Sequence, residues 1–260
     1  MNIIVCIKQV PETTEVRINP ETNTLMREGV KSIINPFDMY AIEEAIRLKE
    51  RFGGKVSVLT MGPPQADSAL REAISMGVDE GYLVCDRAFA GSDTWATSYT
   101  LAGAIKSLGP FDLIICGKQA SDGDTAQVGP GISTHLNIPQ VTYVKKVEEA
   151  TDKSMRLERM LEEGYEIIET PLPALLTVVK EINEPRIPSL KGLMRAKNAK
   201  ITILTQKELD LDPKQIGLCG SPTQVVKIFT PTPRMGGQML KGEVPDIAKQ
   251  LVDLIKEEVN

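Results

Sequence analysis

The residues of this chain best suited to chemistry lie in one stretch, Gly117-Lys118-Gln119-Ala120-Ser121-Asp122-Gly123-Asp124-Thr125-Ala126-Gln127-Val128-Gly129-Pro130-Gly131, directly behind the apolar run 111–116. A buried strand that ends in glycine and passes through Asp-Gly-Asp-Thr into a helix aims backbone N–H groups and a helix N-terminus at an anion. The stretch reads as a phosphate cradle for a nucleotide, against the plainer reading of a turn with an Asp or Thr cap. Asp122 and Asp124 would repel a phosphate that they faced. The expectation is therefore that Asp124 caps the following helix, that Thr125 and the amides of Ala126, Gln127 and Val128 face the anion, and that Gly123 lets the backbone come close. A magnesium ion bridged by the same carboxylates has no further support in the sequence. The segment lacks the Gly-Lys-Ser/Thr of a P-loop and the Gly-x-Gly-x-x-Gly of a dinucleotide fingerprint.

Other reactive residues are few. Cys6, Cys85 and Cys116 each end an apolar run, and with Cys219 they show no paired spacing, so they read as small core residues rather than disulfides or metal ligands. His135 is the only histidine and falls where a helix should end, a poor basis for a metal site. No nucleophile, base and orienting group stand together, which fits a carrier better than a hydrolase.

Composition narrows the partners. The net charge of −5 leaves no basic excess for a nucleic-acid backbone, and 4% aromatic residues provide few stacking platforms. The first residues read as a strand without a basic leader, and the longest apolar run, near 172–179, is too short for a membrane span. A cytoplasmic location is the expectation.

Strand and helix signals alternate through the first half. Apolar strands are expected at 3–7, 56–61, 83–85, 111–116 and 141–144, and helices from Asn35-Pro36-Phe37-Asp38 to Gly53-Gly54, from about Ala66 to Gly77, and from Asp93 to Leu108. This pattern predicts a doubly wound, mostly parallel α/β sheet with helices on both faces, whose ligand crevice lies beyond the carboxyl ends of the strands. That rule gathers segments 6–11, 35–38, 60–62, 93–97 and 117–129 at one edge. Residues 145–169 read as a surface hairpin closed near Glu163-Gly164, and 173–179 as another buried strand. From Asn183 proline and basic residues dominate, and Leu190 among them is a solvated connector or a docking knob. The punctuated stretch 205–243 has little periodicity, and Pro245 starts a helix with an apolar stripe of Ile247, Ala248, Leu251, Leu254 and Ile255. The expected division is an α/β domain over 1–204 and an extended arm with its helix over 205–260.

Six segments carry a resemblance: Val5-Cys6-Ile7-Lys8-Gln9-Val10-Pro11, Asn35-Pro36-Phe37-Asp38, Ala45-Ile46-Arg47-Leu48-Lys49-Glu50, Met61-Gly62-Pro63, Gly117-Lys118-Gln119-Ala120 and Asn183-Glu184-Pro185-Arg186. They resemble the small (beta) subunit of electron-transfer flavoproteins along essentially the full length. Glu162-Glu163-Gly164, Glu166, Ile168, Pro173 and Leu175-Leu176-Thr177 fall on that family's signature region, with Leu157 a departure toward a larger residue.

The resemblance implies a Rossmann-like or flavodoxin-like adenine-nucleotide-binding fold and an obligate heterodimer with an FAD-carrying alpha subunit. In the ordinary branch the beta subunit holds structural AMP and serves acyl-CoA dehydrogenases. In the electron-bifurcating branch of anaerobes the pocket holds FAD, with NADH as donor and ferredoxin and a dehydrogenase as acceptors. The segments Asp122 to Pro130, Val10-Pro11-Glu12-Thr13-Thr14 and Asp93-Thr94-Trp95-Ala96-Thr97 look like the bifurcating version, so FAD is expected over AMP. By the same resemblance Cys6, Asn35, Asp38, Met61 and residues 119–128 line the nucleotide, with Thr94 and Thr97 added for a flavin. Phe37 lies toward the alpha-subunit flavin, and Leu190 is the docking leucine. The dehydrogenase partner is left open among acyl-CoA, enoyl-CoA and lactate types. A different reading, an ATP-dependent adenylating enzyme on a similar sheet, needs a Ser-Gly-Gly-x-Ser loop after the first strand, and Val10-Pro11-Glu12-Thr13 is not one.

Overall fold

The computed structural model describes residues 1–12, 32–226, 237 and 239–259. In chain order they form β1 (Asn2–Cys6), β2 (Gln9–Pro11), β3 (Ser32–Ile34), α1 (Pro36–Phe52), β4 (Lys55–Met61), α2 (Asp67–Met76), β5 (Glu80–Val84), α3 (Thr94–Ser107), β6 (Leu113–Gly117), α4 (Val128–Leu136), β7 (Gln140–Ala150), β8 (Ser154–Leu161), β9 (Gly164–Pro171), β10 (Ala174–Val178), α5 (Leu190–Asn198), β11 (Ile201–Leu204), α6 (Gln206–Leu209) and α7 (Val244–Val259).

One sheet of nine strands, ordered β11-β5-β4-β1-β6-β10-β7-β8-β9, organises the first unit, and β2 and β3 form a separate antiparallel ribbon. All pairs from β11 to β7 are parallel, and β7, β8 and β9 continue the sheet antiparallel. The central strands β1, β4, β6 and β10 are buried on both faces, which is why they read as continuous apolar runs rather than alternating ones. Ile3 and Val5 of β1 pack with Ile42 and Ile46 of α1 and Leu70 of α2 in one core, while Ile4 and Cys6 join Leu101 and Ile105 of α3 and Ile132 of α4 in the other. Each fully buried Leu or Ile contributes roughly 1.5–3 kcal/mol. Burial, more than helix propensity, therefore holds these elements.

The expected mostly parallel α/β sheet is present, and the structure revises several details. The 145–169 hairpin turns where anticipated, but β8 carries Met155 and Leu157 into the first core, so the hairpin is a wing of the main sheet. β10 inserts between β6 and β7, an order that sequence alone does not dictate. The stretch after Pro188, expected as loop, holds α5, capped by the Ser189 hydroxyl accepting the Gly192 N–H at 3.0 Å. Packing of the first unit continues past 204 to Val226, because Leu209 and Ile216 bury in the second core.

A second, smaller unit holds α7. It presents Leu251, Val252, Leu254 and Ile255 as exposed apolar side chains. Thr13, Thr14, Pro231, Pro233 and Gly236, singled out in the sequence, lie outside the described residues. No helix among the described residues is long and apolar enough to cross a membrane.

Candidate functional site

The carboxyl ends of β1 and β6 lie side by side, with Cys6 and Cys116 as register partners. Both are buried free thiols. The adjacent Cys6 thiol, with burial, pushes the Cys116 thiol well above its ordinary range, which makes it an inert core group. Gly117 ends β6 where a Cβ would lie 2.3 Å from Asp38 Oδ1 and 2.7 Å from the Phe37 carbonyl carbon, so only glycine lets the N-terminus of α1 approach the strand this closely.

Asn35 stands at the N-cap position of α1 and makes no side-chain cap. Its carboxamide, almost fully buried, is spent on the loop after β6 instead. Nδ2 donates to the Gln119 carbonyl at 2.8 Å and to Asp38 Oδ1 at 3.0 Å, and Oδ1 accepts the Ser121 N–H at 3.1 Å. Asp38 in turn accepts the Lys8 N–H at 2.7 Å. Burial, only partly offset by these donors, pushes the Asp38 carboxyl up to about 7. Three chain segments, after β1, at the start of α1 and after β6, are thus tied by two buried polar side chains.

The loop from β6 to α4 differs from expectation in one respect. Asp124 does not cap α4, which begins four residues later at Val128 with Gln127 at the N-cap position. Asp124 has φ 53°, in the left-handed region, and stands three residues ahead of the N-cap position. Its carboxylate accepts from Gln119 Nε2 instead. Ala126 is also left-handed, at φ 55°. Alternation of left- and right-handed residues turns successive N–H groups inward as an anion-binding concavity. The N–H groups of Gly123, Thr125 and Ala126 donate to no other protein group among the described residues. Residues 121–125 are exposed, so these donors face solvent. Free amides around a left-handed turn match the chemistry of a nucleotide phosphate, and the residues present fit such a ligand.

Of the other anticipated nucleotide residues, Met61 ends β4 and packs on the second core beside α3. Thr94 and Thr97 are half-buried in the first turn of α3, which Asp93 caps by accepting the Trp95 and Ala96 N–H groups. Asp93 also accepts the N–H and hydroxyl of Thr223, at 2.9 and 2.7 Å, and so ties down a segment that looked unstructured in sequence. His135 packs edge-on against Trp95 and Tyr99, with ring centroids 4.7 and 5.5 Å away, and burial lowers its pKa. No metal-binding cluster occurs among the described residues.

Phe37 sits half-buried beside the cradle, in the first turn of α1. Leu190 lies elsewhere, at the start of α5, 82% exposed, with Ile187 90% exposed before it. This apolar pair stands on a rigid pedestal. Arg186 Nε and Nη2 pair with Glu43 at 2.7 and 3.2 Å, and Nη1 and Nη2 pair with Glu50 at 2.6 and 3.0 Å. Burial pushes the Glu43 carboxyl up, but Arg186 and Arg47 outweigh it and hold it below the usual range. Asn183 donates to the Tyr40 carbonyl and Glu44, and Arg71 binds three carbonyls at the end of α5.

Sequence reading passed over Lys8, Glu43 and Arg186 as functional supports. Their signal was weak: a lysine just past β1, and charges spaced along α1 whose partner lies more than a hundred residues away.

The pattern of the Electron transfer flavoprotein domain matches residues 22–209. The chain is 56% identical over 254 residues to an electron transfer flavoprotein subunit beta of Thermoanaerobacterium thermosaccharolyticum, covering 97% of each chain. It is 51% identical to the Caffeyl-CoA reductase-Etf complex subunit CarD of Acetobacterium woodii, over 99% of this chain and 98% of that one. Against Protein FixA of Azotobacter vinelandii the identity is 48%, over 90% and 85%. With a mostly parallel α/β sheet, a family pattern that spans most of its length and these full-length relatives, the chain belongs to the electron transfer flavoprotein family as a beta subunit, the kind that pairs with an alpha subunit.

Proposed function

We propose that this chain binds FAD at the β6–α4 loop and serves, in a cytoplasmic heterodimer, an NADH-dependent electron-bifurcating complex. The acceptors are ferredoxin on the low-potential side and a dehydrogenase of acyl-CoA, enoyl-CoA or lactate type on the other. The observation that carries the nucleotide reading is the left-handed pair Asp124 and Ala126, with the free amides around them. The relative named as a subunit of a Caffeyl-CoA reductase-Etf complex supports a redox partnership with a CoA-ester enzyme.

In this reading the amides of residues 123 and 125–128 hold the phosphates, Asn35 and Asp38 fix the loop from beneath, and Cys6 lies in the floor. Met61 lines the nucleotide, and Thr94 and Thr97 bound the space that a flavin needs beyond AMP. When bound, the flavin supplies hydride acceptance and one-electron transfer, and the protein supplies placement and dielectric. Phe37 lies toward the alpha-subunit flavin, Leu190 docks the dehydrogenase, and the arm ending in α7 packs its apolar stripe on the alpha subunit.

The test is stoichiometry. Purified with its alpha subunit, the protein is expected to carry two flavins per heterodimer and to bleach on addition of NADH. One flavin plus one AMP, with no response to NADH, would replace this reading with that of an ordinary electron carrier.

A further inference from the structure

Read as a phosphate site, the cradle poses a charge problem. The carboxyl-edge segments 6–11, 35–38, 60–62, 93–97 and 117–129 contain four aspartates, Asp38, Asp93, Asp122 and Asp124, against two lysines, Lys8 and Lys118. Asp38, Asp93 and Asp124 are occupied by the donors described above. Lys118 is held over the Tyr143 ring, 5.0 Å from its centroid, beside β7. Lys8 is placed differently. Its backbone is clamped on both sides, the N–H by Asp38 at 2.7 Å and the carbonyl by the Asn35 N–H at 2.8 Å. Its side chain reaches 114 residues along the chain, and Nζ pairs with Asp122 Oδ1 at 2.6 Å. It lies 3.9 Å from where a Cβ on Gly123 would stand, at the rim of the free amides.

We infer that Lys8 is the phosphate-neutralising residue of this cradle, holding the loop through Asp122 until an anionic nucleotide competes for its ammonium. The inference rests on the nucleotide reading of the loop and adds a binding residue to it. The ion pair is half exposed, with side-chain accessibilities of 47% and 34%. A pair so solvated holds little free energy, so exchanging one partner for another costs little. A phosphate that also accepts from the amides offers Lys8 a charge-assisted bond at a preformed site, which the lone carboxylate does not match. Asp122 is then a competitor for Lys8 as well as its anchor.

The alternative is that Lys8 is a strut whose only task is to pin Asp122, and the two roles predict different signs. The heterodimer, dialysed free of loosely held nucleotide, is titrated with AMP and separately with FAD at low and moderate salt. If Lys8 neutralises phosphate, Lys8→Met weakens binding about tenfold or more and flattens its salt dependence, while Lys8→Arg stays within about threefold of wild type. Asp122→Asn then tightens binding severalfold by releasing the ammonium and removing a like charge. If Lys8 is a strut, Lys8→Met and Asp122→Asn break the same pair and weaken binding equally, and the inference is overturned. Unchanged affinity in Lys8→Met overturns it too. Should the wild-type site take up neither AMP nor FAD, the nucleotide reading itself fails and the inference falls with it, an outcome distinct from nucleotide binding that ignores Lys8.

Discussion

Asn35 Oδ1 accepts the N–H of Ser121, 86 residues away, at 3.1 Å, so the residue that opens α1 also holds the loop after β6. Truncation to Ala strips partners from the Ser121 N–H, the Gln119 carbonyl and Asp38 together. Leaving such groups unsatisfied costs about 1–3 kcal/mol. Asn35→Ala is expected to lower the urea unfolding free energy by about 2–3 kcal/mol and to speed hydrogen exchange at 119–122 beyond the global change. Exchange raised evenly across the sheet would show that Asn35 has no particular hold on the loop.

Asp38 gives a pH prediction. Its carboxyl rises from 3.8 to about 7 in the folded chain, chiefly by burial. The folded state keeps a proton that the unfolded state has released, so the stabilisation is complete below the unfolded value and is lost as pH rises through about 7. The stability of wild type relative to Asp38→Asn should therefore fall between roughly pH 4 and 8, by up to about 4 kcal/mol. Urea denaturation of both proteins across that range is the measurement, and a constant difference would reject the assignment.

Ala126 holds a left-handed backbone at φ 55°, which costs an L-residue with a Cβ roughly 1–2 kcal/mol. Ala126→Gly is expected to raise stability by about 0.5 kcal/mol after the extra chain entropy of glycine. Ala126→Val should lose about 1–2 kcal/mol and retain nucleotide poorly. Thermal melts that rank the two variants equal would contradict the left-handed turn.

Arg186→Ala removes four side-chain hydrogen bonds to Glu43 and Glu50 and leaves the nearly buried Glu43 carboxylate to Arg47 and the backbone N–H of residue 186. The expected loss is about 2–3 kcal/mol. Limited proteolysis should show new cleavage between 186 and 191, and the sheet core should stay protected. Resistance equal to wild type would mean that Asn183 and Arg71 hold the segment without help.

For Leu190, 82% exposed on its pedestal, truncation has little structural consequence. Leu190→Ala is expected to keep flavin content and melting temperature while raising the KM for the dehydrogenase partner about tenfold, the scale of one apolar anchor at an interface. Unaltered kinetics with the partner would remove the docking role.

The apolar runs, the Asn35-Pro36 and Asp93 helix starts and the glycine-rich loop were legible because each is a local rule: burial on both sheet faces, helix initiation and turn chemistry act over a few residues. The family resemblance was legible for the same reason, being carried by short contiguous motifs. Strand order was not, since placing β10 between β6 and β7 depends on how whole faces pack. The sequence also misread Asp124 as a cap, because a carboxylate four residues ahead of a helix looks like one until the backbone angle is known. That Asn35 forgoes its own helix to pin a distant loop, that Arg186 finds Glu43 and Glu50, and that Lys8 meets Asp122 were decided by tertiary structure alone. Hydrogen bonds and ion pairs between residues about a hundred positions apart exist only once the sheet has brought the strand ends together, and no local preference in the chain encodes them.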